Sequence, residues 1–235
     1  MDELITDDGS KTYRSIDVDE WYHTKAGAII EALEKHARAL RVWEKDSPII
    51  YDVCSGLTYS AACALEEIRN HGNNSFVTVY LFENDRKILE KNLELPDALE
   101  YTQDDSTKHI TRYHYFKEAI RKYLEHNINI YESDTLRIIL MFGDVRLQLD
   151  KVEESADYIF YAPFSPMFTP NMWTYDIFRK IYLHAAPGGK LSTYSYAKKV
   201  RDAMAEAGFK VENGPTLGRR SPSLIGVKTD AESAY

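Results

Sequence analysis

Residues 49–65, IIYDVCSGLTYSAACAL, constrain the fold more than any other stretch. An apolar run from Ile49 to Val53 ends in a turn of small residues, Cys54-Ser55-Gly56, and helical spacing begins at Thr58. The pattern predicts a buried strand, a tight turn and a helix. Backbone N–H groups at such a helix N-terminus can approach a ligand closely. Asp52, at the strand's end, is placed either to orient a ligand or to hold the turn. VTVYLF at 77–82 reads as a second buried strand, with Glu83 at its tip. An acid there is the usual partner of a ribose diol. Strand, turn, helix, strand and acid together describe a nucleoside-cofactor site on a doubly wound sheet. The same small residues also suit the first turn of any parallel α/β unit.

A chain of 235 residues can bury one sizeable core. One domain over 1–235 is therefore expected, with an N-terminal extension at 1–46 and an inserted lobe at 96–135. The formal net charge of −8 excludes a surface that is basic throughout. Any nucleic-acid contact must use a local basic patch. The two cysteines, Cys54 and Cys63, form no CxxC pair, which argues against a disulfide framework or a zinc site. His, Asp and Glu do not cluster at ligand spacing, so no metal is expected. No apolar run approaches the ~20 residues that span a bilayer. The N-terminus lacks a secretory apolar core. A soluble, cytoplasmic protein is the expectation.

In chain order, Asp8-Gly9 marks a turn. Thr24 is placed to cap a helix from Lys25 to about Trp43, with Ile29, Ile30, Leu33, Ala37 and Leu40 as its apolar stripe. After Glu83, Asn84 or Asp85 caps a helix to about Leu93. Residues 96–111 are polar, broken by Pro96, and read as an exposed connection; 112–126 have helical periodicity. LRIILMF at 136–142 is the third buried strand and ends at Gly143-Asp144. Asp144 either points into the ligand crevice or caps the short helix that follows. ADYIFYA at 156–162 is the fourth strand. PFSPMFTPNMW at 163–173 is a stiff loop at the active edge, where Phe164, Phe168 and Trp173 either clamp a planar substrate or pack on the sheet. A helix to about His184, a turn at Pro187-Gly188-Gly189, a fifth strand at 190–195 and a helix at 197–207 follow. Residues 209–213 and 223–228 close the chain as an antiparallel hairpin pair.

Seven strands alternating with helices and ending in such a hairpin resemble the class I S-adenosylmethionine-dependent methyltransferase fold, Rossmann-like and mostly parallel. More narrowly, the chain resembles the MnmC-like family in its stand-alone form. The resemblance is carried by TDDGSKTYRS (6–15), YHTKAGAIIEAL (22–33), FSPMFTPNMW (164–173) and AGFKVENGPTLGRRSPSLIGV (207–227). It implies N-methylation of an aminomethyl group on the wobble uridine of tRNA, with S-adenosylmethionine as cofactor. It places Asp52, Cys54, Gly56 and Thr58 in the turn that holds the cofactor's amino acid part. It assigns Glu83 to the ribose, Gly143 and Asp144 to the adenine, and Tyr22 and His23 to a cover. Arg219 and Arg220 fall where a tRNA phosphate or flipped base is contacted. Two positions depart from the family pattern. Cys54 stands at the first glycine of the turn, and fits if its φ is negative. Ala162 stands where the family has an Asp at the end of the fourth strand, and Phe168 replaces a lysine. Tyr161 is then the nearest candidate to take the amine's proton, or else a stacking wall for a base. The alternatives are a methyltransferase of this fold acting on a small molecule or protein side chain, and a silent module that binds cofactor or tRNA.

Overall fold

The structure, a computed structural model, describes residues 1–217 and 221–229. A short hairpin comes first, β1 (Glu3–Ile5) and β2 (Lys11–Tyr13). A helix over 28–40 follows: α1 (Ala28–Glu31), a π-helical turn (Ala32–Ala37) and α2 (Arg38–Leu40). Then come β3 (Ile49–Val53), α3 (Tyr59–Asn70), β4 (Val77–Glu83) and α4 (Arg86–Glu94). β5 (Leu99–Gln103), β6 (Ser106–Ile110), α5 (Tyr113–His126) and β7 (Ile130–Glu132) occupy the crossover to β8 (Leu136–Phe142). The chain continues through α6 (Val145–Gln148), β9 (Ala156–Tyr161), α7 (Tyr175–His184), β10 (Ala185–Thr193), α8 (Lys198–Glu206), β11 (Lys210–Asn213) and β12 (Leu224–Val227).

The large sheet has the order β11-β12-β10-β9-β3-β4-β8-β7. β8, β4, β3, β9 and β10 are mutually parallel, and β12 runs antiparallel between β10 and β11. Strands buried on both faces carry apolar residues in unbroken runs, as the central four do. Side chains alternate between two cores. Ile50, Val79, Leu81, Ile138, Leu140 and Phe160 pack beneath the helix at 28–40, α3 and α5. Tyr51, Val53, Phe82, Met141, Ile159 and Tyr161 pack beneath α7 and α8. The expected seven strands are present, and β7 adds an eighth on the edge, antiparallel to β8.

Three local expectations are corrected. Residues 96–111 are not an open connection: β5 and β6 form a hairpin whose Leu99, Tyr101 and Ile110 are buried in the first core. Its two-residue loop, Asp104-Asp105, has positive φ at both positions, the geometry of a type I′ turn. Asp tolerates that region without being its usual signal. Thr24 does not cap the helix at 28–40. Its first turn receives acceptors from the β1–β2 loop instead: Asp8 Oδ2 accepts from Ile30 N at 2.9 Å and Ser10 Oγ from Ala28 N at 3.1 Å. Gly27 permits this approach, since a Cβ there would sit 2.6 Å from the Asp8 carboxylate. Finally, the Pro187-Gly188-Gly189 segment is an irregularity within β10, where the register with β9 shifts between Ala185 and Lys190.

Candidate active site

A cavity of about 820 Å³ opens over the C-terminal tips of β3, β4, β8 and β9. The strand tips form one wall. The N-terminal segment and the helix at 28–40 form the other. Carboxylates outnumber cationic side chains around the lining, so the cavity favours a cation.

On the strand-tip wall, backbone donors hold the acids. Glu83 is buried, and its Oε2 accepts from Gly56 N at 2.8 Å. Its Oε1 accepts from Asn84 N at 2.8 Å and Asp85 N at 2.9 Å. Burial raises its pKa, and the three N–H donors oppose that rise. Asp52 is 1% exposed and accepts from Ala61 N at 3.2 Å, near the start of α3. Burial pushes its pKa up to about 8, with the Glu83 charge adding to the rise. Asp85 caps α4 by accepting from Lys87 N at 2.8 Å, and takes the Tyr22 hydroxyl at 2.8 Å. The Tyr22 ring covers the turn: a Cβ on Gly56, whose φ is +49°, would lie 3.1 Å from it. Gly143 has φ +126° and donates to Glu83 O at 2.8 Å. Asp144 caps α6 through Arg146 N at 2.9 Å, and the Arg146 guanidinium lies on both its oxygens, which lowers its pKa.

The opposite wall is tied by side chains. Glu31, Lys35 and His36 all face the cavity from the helix at 28–40. Lys35 Nζ donates to Glu31 Oε1 at 2.6 Å. Burial would raise the Glu31 pKa, but the Lys35 charge and hydrogen bond outweigh it and the net shift is downward. His36 Nδ1 lies 2.7 Å from Ser192 Oγ, and desolvation takes its pKa down to about 3. His23 pairs with Thr12 Oγ1 through Nδ1 at 3.2 Å and through its own N–H at 3.1 Å. The sequence reading missed Glu31, Lys35 and His36. Charged residues at helical spacing resemble a solvated face until a partner covers them.

Asp52, Cys54, Gly56, Glu83, Gly143, Asp144, Tyr22, His23, Ala162 and Phe164 all line this cavity. Other predicted residues do not. Tyr161 is fully buried on the opposite face of the sheet, where its hydroxyl donates to Met172 O and its ring packs on Trp173 and Phe178. That removes it as a proton acceptor and as a stacking wall. Thr58 is fully buried and donates to Asn92 Oδ1 at 3.2 Å. Trp173 is 4% exposed and its indole N–H donates to Phe164 O at 2.8 Å, so it props the loop from beneath. Phe168 is 46% exposed, away from the lining. Cys54 has φ +60°, not the negative value expected, and so takes a left-handed conformation that glycine adopts at less cost. Arg219 and Arg220 lie outside the described residues.

The sheet order, the acid-tipped second strand and the crevice over the parallel tips define a class I, Rossmann-like methyltransferase fold. The chain belongs to the family described as S-adenosyl-L-methionine-dependent methyltransferase, whose model matches residues 109–229, and within it to the MnmC-like proteins. It is 29% identical over 224 residues to an uncharacterized protein of Methanocaldococcus jannaschii, covering 95% of this chain and 58% of that one. It is 35% identical over 92 residues to the tRNA 5-methylaminomethyl-2-thiouridine biosynthesis bifunctional protein MnmC of Leptospira interrogans, covering 39% of this chain and 14% of that protein. The crystal structure of MNMC2 from Aquifex aeolicus matches with a TM-score of 0.73 at 28% identity, over 96% of this chain and 69% of the other. The chain therefore spans little more than half of the archaeal relative and a small part of the bifunctional one. No helix among the described residues is long and apolar enough to cross a membrane, and no group of three or more candidate metal ligands occurs among them.

The lining fits the family's cofactor. Asp52 and Glu83 are buried acids without a cationic partner among the described residues, as a site for a cationic ligand would have. Ser55 on the turn has a buried hydroxyl with no hydrogen-bond partner among them.

Proposed function

We propose that the protein methylates an aminomethyl nitrogen on the wobble uridine of tRNA. The observation that carries this reading is the cavity itself. It joins an acid-tipped cofactor turn to a strand-end loop in which the aromatic ring of Phe164 faces the same space. The MnmC-like relatives support tRNA as the partner.

In this reading Asp52 and the turn at Cys54–Gly56 hold the amino acid part of S-adenosylmethionine. Three N–H donors leave Glu83 with lone-pair capacity for the ribose hydroxyls. Gly143 and Asp144 flank the adenine, with Arg146 holding the carboxylate in place. Tyr22 and His23 close the site from the N-terminal side. When bound, the cofactor supplies a methyl group already activated by its sulfonium. The protein's own residues then align the nucleophile and exclude water. The acidic lining draws an amine-bearing substrate inward.

Ala162 favours a second reading. An apolar strand end offers the amine no carboxylate, which suits methylation of a small molecule or protein side chain by the same cofactor chemistry.

Calorimetry with S-adenosylmethionine and S-adenosylhomocysteine tests the cofactor site. Incubation with labelled donor and undermodified tRNA, followed by mass spectrometry of the nucleosides, tests the acceptor. A labelled wobble uridine is expected. Tight cofactor binding with no labelled nucleoside would overturn the tRNA reading and leave the second.

A further inference from the structure

The acids on the lining are largely engaged. Asp52 holds the start of α3, Glu83 and Asp85 hold backbone N–H groups, Asp144 holds Arg146, and Glu31 holds Lys35. Glu20 accepts from Ser165 N at 2.8 Å and anchors the strand-end loop. The nucleophile's N–H still needs an acceptor near the strand tips.

His36 is in position to supply one. Its ring centroid lies 5.4 Å from that of Phe160, and its Nδ1 is tied to Ser192, the register partner of Phe160 on β10. Strand side chains alternate, so Phe160 and Ala162 share a face about 6.6 Å apart along the strand. His36 is therefore level with Phe160, one side-chain step along the strand from Ala162, and both His36 and Ala162 line the cavity. The contact with Ser192 engages Nδ1, which leaves Nε2 as the ring nitrogen that can meet a ligand. The ring is neutral because it is desolvated and lies beside the Lys35 charge, and in the tautomer whose Nδ1–H donates to Ser192 Oγ, the one the proposal requires, the lone pair is on Nε2.

We propose that His36 orients the methyl acceptor: its Nε2 accepts a hydrogen bond from the acceptor's amine N–H in the space beside Ala162. This rests on the reading that the nucleophile is an amine. The hydrogen bond turns the nitrogen lone pair toward the donor methyl. As that lone pair forms the new N–C bond, the old S–C pair stays with sulfur. The surplus ammonium proton passes to water at the cavity mouth. His36 acts by position, as a neutral group throughout, and Ser192 keeps its ring from turning.

The test compares wild type with His36→Ala and His36→Gln; Gln can place an amide oxygen close to the Nε2 position. Thermal melting and S-adenosylhomocysteine calorimetry come first, and both variants should bind the cofactor product as wild type does. On undermodified tRNA, His36→Ala should lose about 100-fold in kcat, within the range of a positioned proton-handling group. KM should change little, and His36→Gln should recover about tenfold of the loss. Wild-type turnover with an equally active His36→Ala would overturn the proposal. If wild type does not methylate the tRNA, the function reading fails by itself. The proposal is then decided by 15N NMR of the His36 ring in the S-adenosylhomocysteine complex, titrated with 5-aminomethyluridine. A shift of the Nε2 resonance, absent in a Ser192→Ala control that frees the ring, upholds it. An unmoved resonance overturns it. If His36→Ala does not fold, His36→Gln alone carries the kinetic comparison.

Discussion

The two walls of the cavity are held by different means. On the strand-tip wall, Glu83, Asp52 and Asp85 are fixed by backbone N–H groups of turns and helix starts. Their positions follow from the fold and cannot shift without unwinding a turn. On the helix wall, Glu31, Lys35, His36 and His23 are fixed by other side chains. One substitution there can redraw the surface while the sheet stays intact. A rigid wall suits a cofactor held in one pose, and a wall held by side chains is the one that substitutions can reshape. The π-helical turn at Ala32–Ala37 lies in the second wall, as π-turns often lie at functional sites.

The largest effect should come from breaking the side-chain wall. Lys35→Met strips the partner from Glu31, in a pair whose side chains are 4% and 14% exposed. The expected loss is about 3 kcal/mol in urea unfolding. The double variant Glu31→Gln with Lys35→Met should regain most of it. A small loss in the single variant would mean that the wall is wetter than its geometry shows.

Acid should weaken the same wall. The His36 pKa falls from 6.5 to about 3 on folding. Its neutral form contributes fully above pH 6.5, and the contribution is lost as pH falls from there toward 3. The slope is at most about 1.4 kcal/mol per pH unit. Asp52, raised from 3.8 to about 8, has a slope of the opposite sign over pH 3.8 to 8. The check is therefore the difference between wild type and His36→Gln, measured between pH 4 and 6.5. That difference should shrink steadily toward the acid end.

The strand-tip wall should show itself in cofactor affinity instead. Glu83→Ala removes the acceptor of three backbone N–H groups and the proposed ribose partner. Calorimetry should show at least a tenfold weaker S-adenosylmethionine complex, about 1.4 kcal/mol. Unchanged affinity would move the ribose elsewhere. The smallest effect is expected for Ala162→Asp. The residue lines the cavity, so stability should change by less than about 0.5 kcal/mol. A large fall in melting temperature would show that the strand end is packed rather than open.

Much of the first wall was legible in the sequence. Its acids and turn residues lie at or just beyond the end of a buried apolar run, and a parallel strand's end has one place to go. Tyr161 shows where that logic needs the sheet: one residue before Ala162, it points to the opposite core because strands alternate. Asp104-Asp105 turns a hairpin without the glycine that usually announces it. Thr24 resembles a cap, but Asp8 does the capping, from a loop that the linear pattern does not connect with the helix.

The sequence by itself determined the order of the elements, the parallel sheet and the acid at the second strand's tip. These rest on periodicity and on short-range turn chemistry, which are local; the methyltransferase family rests instead on resemblance along the chain. Only the tertiary structure decided which polar residues are buried, that Cys54 takes a positive φ, and that His36 meets Ser192. Those two residues are separated by 156 positions in the chain. A hydrogen bond between them exists only because the helix at 28–40 crosses β10, and no local pattern carries that information.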